Sequence, residues 1–206
     1  MYTVYVAGFL YDVKEFRGGG SANRSFYLAP ATKEEIERII QQLPNKNSSG
    51  IDGISPKTMK AILPAIKTEI TELINLSITE KTFPENAKVG KTTPLYKGGK
   101  KELLTNYRPI TNTSTIAKII EKYIQKQLNK FLEQEKFFYK KQHGFRSNTS
   151  TKIAATEVIN EVQEHLDKGG KAAIAFLDLQ KAFDLVNHNE LLKSLEAAGI
   201  RGHTLE

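Results

Sequence analysis

The residues best suited to chemistry lie near the C-terminal end, in the run Phe176-Leu177-Asp178-Leu179. The residues that lead into it, 172–177, are continuously apolar, which is typical of a strand buried on both faces. An ionised carboxylate directly after such a strand is costly unless it is paired or binds a metal ion. Asp178 is therefore a candidate metal ligand. The alternative is an aspartate that turns the chain or caps the following helix.

Several other kinds of site are excluded by residue type or spacing. The sequence contains no cysteine, so disulfides, thiolate zinc sites and cysteine nucleophiles are absent. The triple glycine at 18–20 is not followed by Gly-Lys-Ser/Thr, so it is not a phosphate-binding loop. The four histidines show no ligand spacing and are expected to be ordinary surface or core residues: His143, His165, His188 and His203.

Positive charge is concentrated in one part of the chain. The whole chain has 30 Lys and Arg against 23 Asp and Glu, a net charge of +7. Residues 81–152 hold 16 of the former and 5 of the latter, a net charge of +11. This concentration favours a nucleic-acid partner, although several solvated helix faces would also produce it.

Four lysines of this basic segment follow an i, i+4 spacing: Lys118, Lys122, Lys126 and Lys130. Like charges at that spacing repel one another on an isolated helix. Only Glu121 comes close to interleaving an acid among them. The pattern therefore favours a polyanion nearby.

Helices and strands of a mixed α+β fold are predicted to position these residues. A capping box at Thr32–Glu35 begins a helix that Pro44 ends. Ser55 and Pro56 begin another helix, which Pro64 is expected to divide.

A β-hairpin is predicted from Thr92–Lys97 and Asn106–Thr111, with a tight turn at Gly98-Gly99. Pro109 cannot donate a backbone hydrogen bond and must lie at a sheet edge. Helices are predicted over 116–131, 151–166 and 188–198, and a buried strand over Lys171–Leu179.

Six blocks, in the same order, resemble the reverse transcriptases of non-LTR retrotransposons of the LINE type, in particular the jockey-like ones. The blocks are Lys46–Ile54, Thr93–Gly99, Asn106–Ile110 (N-Y-R-P-I), Ile119–Lys122, Gln142–Arg146 (Q-x-G-F-R) and Phe176–His188 (F-L-D-L-x-K-A-F-D-x-V-x-H). The resemblance covers residues 26–206. It implies a partial polymerase right hand, with helical fingers and a β-hairpin over 26–170. The palm then opens over 171–206 with its first strand and the following helix. Residues 1–25, which contain the run Gly18-Gly19-Gly20-Ser21, are predicted from their composition to form a flexible N-terminal extension.

The resemblance also implies roles near the start of the palm. Asp178 matches the first metal-binding aspartate, which bridges two Mg²⁺ ions, and the Leu179 carbonyl matches a further ligand. Phe183 matches the residue that stacks under the incoming sugar and excludes a ribose 2′-hydroxyl. A core aromatic is the alternative reading of Phe183.

In the fingers, the resemblance implies that Arg108 contacts the incoming triphosphate and that Lys97 is a second contact. Arg146 matches a position for a template contact, with a structural ion pair to an acid as the alternative. The four lysines Lys118, Lys122, Lys126 and Lys130 would then face the template strand.

A two-metal site needs at least two carboxylates, and the second one is not expected to be Asp184. The family's partner acids come later, in an Ala-Asp-Asp turn, and this chain contains no Asp-Asp pair before it ends at Glu206. We therefore expect an incomplete Mg²⁺ site and no RNA-templated DNA synthesis by the isolated chain.

Three functional hypotheses follow. The first is a fragment of an RNA-directed DNA polymerase, whose partners would be an RNA template, a DNA primer and deoxynucleoside triphosphates. The second is a basic RNA-binding remnant without catalysis, and the third is an unrelated basic α/β protein. No signal peptide or membrane span is visible, which predicts a soluble intracellular protein, and the family's priming on chromosomal DNA implies the nucleus.

Overall fold

The computed structural model describes residues 4–6, 9–11, 24–179, 182–183 and 185–205. The chain divides into two compact units. One runs from Tyr27 to Lys130, and the other combines the N-terminal residues up to Phe26 with Phe131–Leu205. The division into fingers and palm rests on function rather than on contacts and stays a prediction. The predictions for Asp184 and for the glycine run at 18–20 fall outside the described residues.

Helices dominate the unit from Tyr27 to Lys130. They are α1 (Lys33–Gln42), α2 (Pro56–Thr79), the short α3 (Glu85–Lys88) and α4 (Thr115–Gln134), whose last turn belongs to the other unit. The mixed helix and strand content confirms the predicted fold class.

The predicted helix starts are confirmed. The Thr32 hydroxyl accepts a hydrogen bond from the Glu35 N–H at 3.2 Å, and the Glu35 carboxylate accepts one from the Thr32 N–H at 3.3 Å. Ser55 caps α2 by accepting from the Thr58 N–H at 3.1 Å. These bonds satisfy amide groups that the first turn of a helix leaves without partners.

The core of this unit lies among α1, α2 and α4. Its buried side chains are Ala31, Ile36, Ile39, Ile40, Leu43, Met59, Leu63, Ile70, Ile74, Ile119, Ile120 and Tyr123. Most are branched aliphatic residues spaced three or four apart along each helix, so the burial of these stripes supplies most of the stabilisation.

Helix α2 continues through Pro64, so the predicted division of this helix is wrong. Proline inside a helix costs about 3 kcal/mol because it removes a hydrogen bond and crowds the preceding turn. Leu63 and Ile70, on either side of it, are buried, whereas Pro64 itself is exposed. The burial on both sides holds the two halves in line against the core.

An extended segment is clamped between α2 and α4. The Asn75 side chain both accepts from the Ala31 N–H at 2.6 Å and donates to the Ala31 carbonyl at 3.0 Å. The Gln127 side chain likewise accepts from the Ala29 N–H at 2.9 Å and donates to the Ala29 carbonyl at 3.2 Å. The Tyr123 hydroxyl also donates to the Ala29 carbonyl, at 2.6 Å. Side-chain amides therefore replace the neighbouring strand that an extended segment otherwise needs.

Tyr123 makes the stability of this clamp depend on pH. Its side chain is 1% exposed, and burial, assisted by the charge of Glu35, raises its pKa to about 12. The unfolded chain loses this proton near pH 10. The contribution of the neutral Tyr123 hydroxyl to the free energy of unfolding is therefore complete below pH 10 and is lost as pH rises to about 12. We expect the free energy of unfolding to fall by about 2–3 kcal/mol across that window on account of this group.

The matching measurement is urea unfolding between pH 9 and pH 12 with Tyr123→Phe and Tyr27→Phe. Tyr27 is exposed and serves as the control. We expect Tyr123→Phe to flatten the decline and Tyr27→Phe to leave it unchanged. Parallel declines in all three proteins would contradict the assignment.

The loop that precedes α2 packs on the start of α4. A Cβ atom on Gly50 would lie 2.8 Å from the Ser114 backbone nitrogen, so only glycine permits this approach. The Thr115 hydroxyl donates to the Ile54 carbonyl at 2.5 Å. The loop thereby fixes where α4 begins, and with it the position of the lysines that α4 carries.

Strands β3 (Lys91–Tyr96) and β4 (Tyr107–Asn112) form the predicted hairpin, with Tyr96 opposite Tyr107. The predicted tight turn at Gly98-Gly99 is wrong. The connection spans residues 97–106 and includes a 3₁₀ turn at Leu104–Asn106. Side chains at the strand ends hydrogen-bond the loop carbonyls, which stabilises the longer connection.

Two prolines face each other in this hairpin, Pro94 and Pro109. The Lys97 N–H donates to the Asn106 carbonyl at 2.9 Å, and hydrogen-bonded pairs alternate along an antiparallel ladder. The proline pair is therefore one whose backbone nitrogens point outward, away from the partner strand. This agrees with the prediction that Pro109 lies at an edge.

The other unit contains the hairpin of β1 (Val4–Val6) and β2 (Phe9–Tyr11), the helices α5 (Thr151–Asp167) and α6 (His188–Ala197), and a 3₁₀ turn at Gly202–Thr204. Phe26 is buried in it, with its ring 5.4 Å from that of Phe131 and its N–H donating to the Gly199 carbonyl at 2.7 Å. Among the described residues, no helix is long and apolar enough to cross a membrane.

The predicted strand at Lys171–Leu179 is not formed, and the prediction that it is buried on both faces is wrong. Residues 171–179 have no regular secondary structure and are exposed, with Phe176 at 72% and Leu179 at 74%. A strand needs a hydrogen-bonded neighbour, and no described segment pairs with this one. Apolar composition alone therefore did not produce a strand here.

Candidate functional site

One face of the β3–β4 hairpin is cationic. Alternate residues of a strand point to the same side, and Leu95 lies opposite Arg108, so Lys91, Lys97 and Arg108 share one face. All three are exposed, and no carboxylate lies within ion-pair distance of them among the described residues. We call these three residues the cationic face. A guanidinium and two ammonium groups free of acids are well suited to binding phosphate oxygens.

The lysines of α4 are not equivalent. Lys126 lies 3.6 Å from the Glu35 carboxylate of α1, and the Lys118 ammonium donates to the Asn112 side chain at 3.5 Å. Lys122 and Lys130 are exposed and form no ion pair with a described residue. An acid from another helix thus partly neutralises Lys126, and Lys122 and Lys130 are the two exposed lysines of the row without a described side-chain partner.

Asp178 and its neighbours lie on the exposed segment that follows α5. Asp178 and Leu179 have no regular secondary structure, and the Asp178 side chain is exposed. Phe183 is 79% exposed, so it is not a core aromatic in the described structure. Its ring meets that of Phe145 edge-on at 6.0 Å between centroids.

The described residues do not by themselves fit a two-metal centre. Among them, no three or more aspartate, glutamate, histidine or cysteine side chains come together as a metal site requires. Asp178 offers one carboxylate and Leu179 one carbonyl. These are fewer oxygen ligands than a Mg²⁺ ion takes.

Arg146 forms a structural ion pair, one of the two roles considered for it. Its guanidinium donates to both carboxylate oxygens of Glu133 at 3.0 and 2.9 Å. It also donates to the Tyr139 carbonyl at 3.1 Å and stacks on Phe138 at 5.1 Å. These bonds use the donors that a template phosphate would need, and the template contact remains an untested prediction.

The loop around Arg146 is tied to α5 as well. His143 contacts the Thr149 hydroxyl at 2.6 Å and the Glu157 carboxylate at 3.1 Å, and Lys141 pairs with Glu161. His143 and Arg146 of the Gln142–Arg146 block therefore anchor this loop to neighbouring elements.

Two features of the site are missing from the sequence-based prediction. Lys91 shares the face of Lys97 and Arg108, and the period of two along β3 is the signal that could have revealed it. The side chains that order the loop at 97–106 could not be found by spacing, because Tyr96 and Tyr107 belong to different strands that meet only in the folded hairpin, and Asn106 reaches the Lys100 carbonyl only when the loop is folded.

The chain matches a known family over more than half of its length. A family model described as "Reverse transcriptase (RNA-dependent DNA polymerase)" matches residues 97–205. The matched range begins at Lys97 of the cationic face and includes α4, Arg146 and Asp178.

Curated relatives extend the match toward the N-terminus. The chain is 29% identical over 173 residues to "Probable RNA-directed DNA polymerase from transposon BS" of Drosophila melanogaster, covering 84% of the chain and 19% of the relative. It is 32% identical over 170 residues to "RNA-directed DNA polymerase from mobile element jockey" of the same species, covering 82% and 18%. The chain thus spans about a fifth of the length of these relatives.

Proposed function

Because the chain belongs to the reverse transcriptase family, we propose that it supplies the nucleotide-binding and template-binding part of an RNA-directed DNA polymerase. The jockey-like reverse transcriptases of non-LTR retrotransposons are the relatives that support this most directly. The substrates would be deoxynucleoside triphosphates, with an RNA template and a DNA primer as partners.

The cationic face of the hairpin is the observation that carries this proposal. A triphosphate presents a row of anionic oxygens, which the planar fork of Arg108 and the point charges of Lys91 and Lys97 can bind together. The absence of nearby described carboxylates leaves these charges available to a ligand. The exposed lysines Lys122 and Lys130 on α4 support a second contact, with the phosphates of the template.

Asp178 would serve as one carboxylate ligand of the Mg²⁺ ions that such polymerases use, with the Leu179 carbonyl beside it. The support for this role is the family match over residues 97–205, together with the exposure of the Asp178 side chain. The proposed site of action is intracellular, in the nucleus, where chromosomal DNA would supply the primer.

Replacing Arg108 by alanine should weaken binding of dGTP about tenfold, because the variant loses a charge-assisted, two-pronged contact with phosphate. The measurement is a titration of the isotope-labelled chain with dGTP, followed by amide chemical shifts. Arg108→Lys keeps the charge without the fork and should lose part of the affinity.

Lys88→Ala is the matched control, because Lys88 is a cation outside the cationic face that pairs with Glu85. We expect this variant to bind dGTP as the original chain does. Equal affinity of Arg108→Ala and the original chain, or equal losses in Arg108→Ala and Lys88→Ala, would refute the proposal.

A further inference from the structure

The loop at 97–106 is held by its own Asn106 side chain and by tyrosine side chains from the two strands that it connects. Three successive carbonyls of the loop, those of Gly99, Lys100 and Lys101, each accept a hydrogen bond from a side chain. The donors are the Tyr96 hydroxyl to Gly99, the Asn106 amide to Lys100 at 2.8 Å and the Tyr107 hydroxyl to Lys101 at 3.0 Å.

Asn106 is the centre of this arrangement. Its carbonyl accepts from the Lys97 N–H at 2.9 Å, and its own N–H donates to the Leu103 carbonyl at 3.0 Å. The Lys100 carbonyl that its side chain binds also accepts from the Leu103 N–H at 3.3 Å. One residue therefore joins the end of β3, the middle of the loop and the start of β4.

Gly99 packs closely against the Asn106 side chain. Its φ is +96°, and a Cβ atom there would lie 2.6 Å from the Asn106 side-chain nitrogen. Gly98 also has a positive φ, of +121°, but a Cβ atom on it would meet nothing within 4 Å. The two adjacent glycines thus both adopt a positive φ, and of the two it is Gly99 that packs against the Asn106 side chain.

The loop contacts also separate the charges of the hairpin. The Lys101 ammonium lies 5.9 Å from the centre of the Tyr96 ring, which pairs with Tyr107 on the face opposite the cationic face. Lys97 follows β3 directly, and its N–H bond to Asn106 fixes its place relative to Arg108. A loop with two glycines would otherwise sample many conformations, and ordering it only on binding would reduce affinity.

We infer that Asn106 is a positioning residue for triphosphate binding, which holds Lys97 at a fixed spacing from Arg108 through the ordered loop. This inference rests on the proposed function, since it assigns to Asn106 a part in the same nucleotide site. Asn106 does not touch the ligand and acts through the two cations.

The test compares Asn106→Ala and Gly99→Ala with the control Gly98→Ala in the full chain. The first variant removes the amide, the second displaces it, and the third adds backbone strain alone. Binding of dGTP and hydrogen exchange of the Lys97 and Leu103 amides are measured by nuclear magnetic resonance. We expect both test variants to bind dGTP about five- to tenfold more weakly and to exchange these amides faster. Gly98→Ala should change neither property beyond the small effect of its strain.

A double-mutant cycle separates positioning from a general loss of structure. In the background Lys97→Ala with Arg108→Ala, the added change Asn106→Ala should lower dGTP affinity no further, because neither of the two cations that Asn106 positions remains. An equal loss in both backgrounds would overturn the inference, as would unchanged hydrogen exchange in Asn106→Ala.

The outcomes also distinguish this inference from the proposed function. If the original chain does not bind dGTP, or binds it independently of Arg108, the proposed nucleotide site fails and the positioning role fails with it. If binding depends on Arg108 but not on Asn106, only the positioning role is overturned.

Discussion

Replacing Lys118, Lys122, Lys126 and Lys130 by glutamate should lower the affinity for single-stranded RNA about a hundredfold at about 0.1 M salt. Each basic residue that binds a phosphate releases a counterion, so the variant should also show a weaker dependence of affinity on salt. The logarithmic salt slope should fall by about 0.7 for each phosphate that is no longer neutralised. Fluorescence anisotropy of a labelled RNA over a series of salt concentrations measures both quantities.

The structure indicates that two of these four lysines account for most of the expected loss of RNA affinity. Lys126 lies near Glu35 and Lys118 contacts Asn112, so Lys122→Glu with Lys130→Glu should produce most of the loss. The matched control reverses four basic residues that lie in the same unit but outside the basic segment: Lys33, Lys46, Lys57 and Lys60. Asp178→Ala should leave RNA binding unchanged. An equal loss in the matched control would show that net charge, rather than this face of α4, governs RNA binding.

The second large effect is self-association through the exposed apolar segment around Asp178. This segment exposes Ile174, Phe176, Leu177, Leu179, Phe183, Leu185 and Val186. So many exposed apolar side chains close together in the chain favour association, since their burial contributes about 25 cal/mol per Å². We expect the chain to form oligomers at micromolar concentration in sedimentation velocity, and Phe176→Asp with Leu179→Asp to make it predominantly monomeric.

Leu104→Asp is the control for this prediction. Leu104 is 88% exposed but lies on the hairpin loop, which belongs to the other unit. This variant should associate as the original chain does. A monomeric original chain would count against the prediction. So would a Leu104→Asp variant that is as monomeric as the variant with Phe176→Asp and Leu179→Asp.

Local signals predicted the helices well because their information is contained in a few neighbouring residues. The hydroxyls of Thr32 and Ser55 bind amides only three residues away, so the sequence itself shows the cap. The period of apolar residues likewise identified the core faces of α1 and α4. The hairpin followed from two short strands that lie close together in the chain.

Tertiary contacts explain what the sequence did not reveal. Pro64 is tolerated because residues on both sides of it are buried, and that burial depends on helices distant in sequence. The clamp of Asn75 and Gln127 on Ala31 and Ala29 joins residues 44 and 98 positions apart. Neither signal is visible in a local window.

The same distinction between local signals and tertiary contacts applies to the candidate site. The resemblance of the blocks that contain Arg108 and Asp178 to a known family was sufficient to propose their roles, which remain predictions. The bond between Arg146 and Glu133, the approach of Glu35 to Lys126 and the ordered loop around Asn106 needed the fold. At Lys171–Leu179 the composition indicated a strand that the fold does not form. A strand needs a hydrogen-bonded partner strand, and the composition of one segment does not show whether such a partner is present.

The facing prolines of the β3–β4 hairpin have a consequence for how this chain behaves in a crowded cell. A two-stranded ribbon consists entirely of edges, and each edge can act as a template for a foreign strand. Pro94 and Pro109 interrupt both edges at the same level, because neither presents an N–H group to an approaching chain. The ribbon is thereby protected from being extended into a larger sheet, and its charged face stays accessible to a soluble ligand. The prolines therefore protect the hairpin from misassembly. The exposed apolar segment around Asp178 contains no proline that could protect it in the same way.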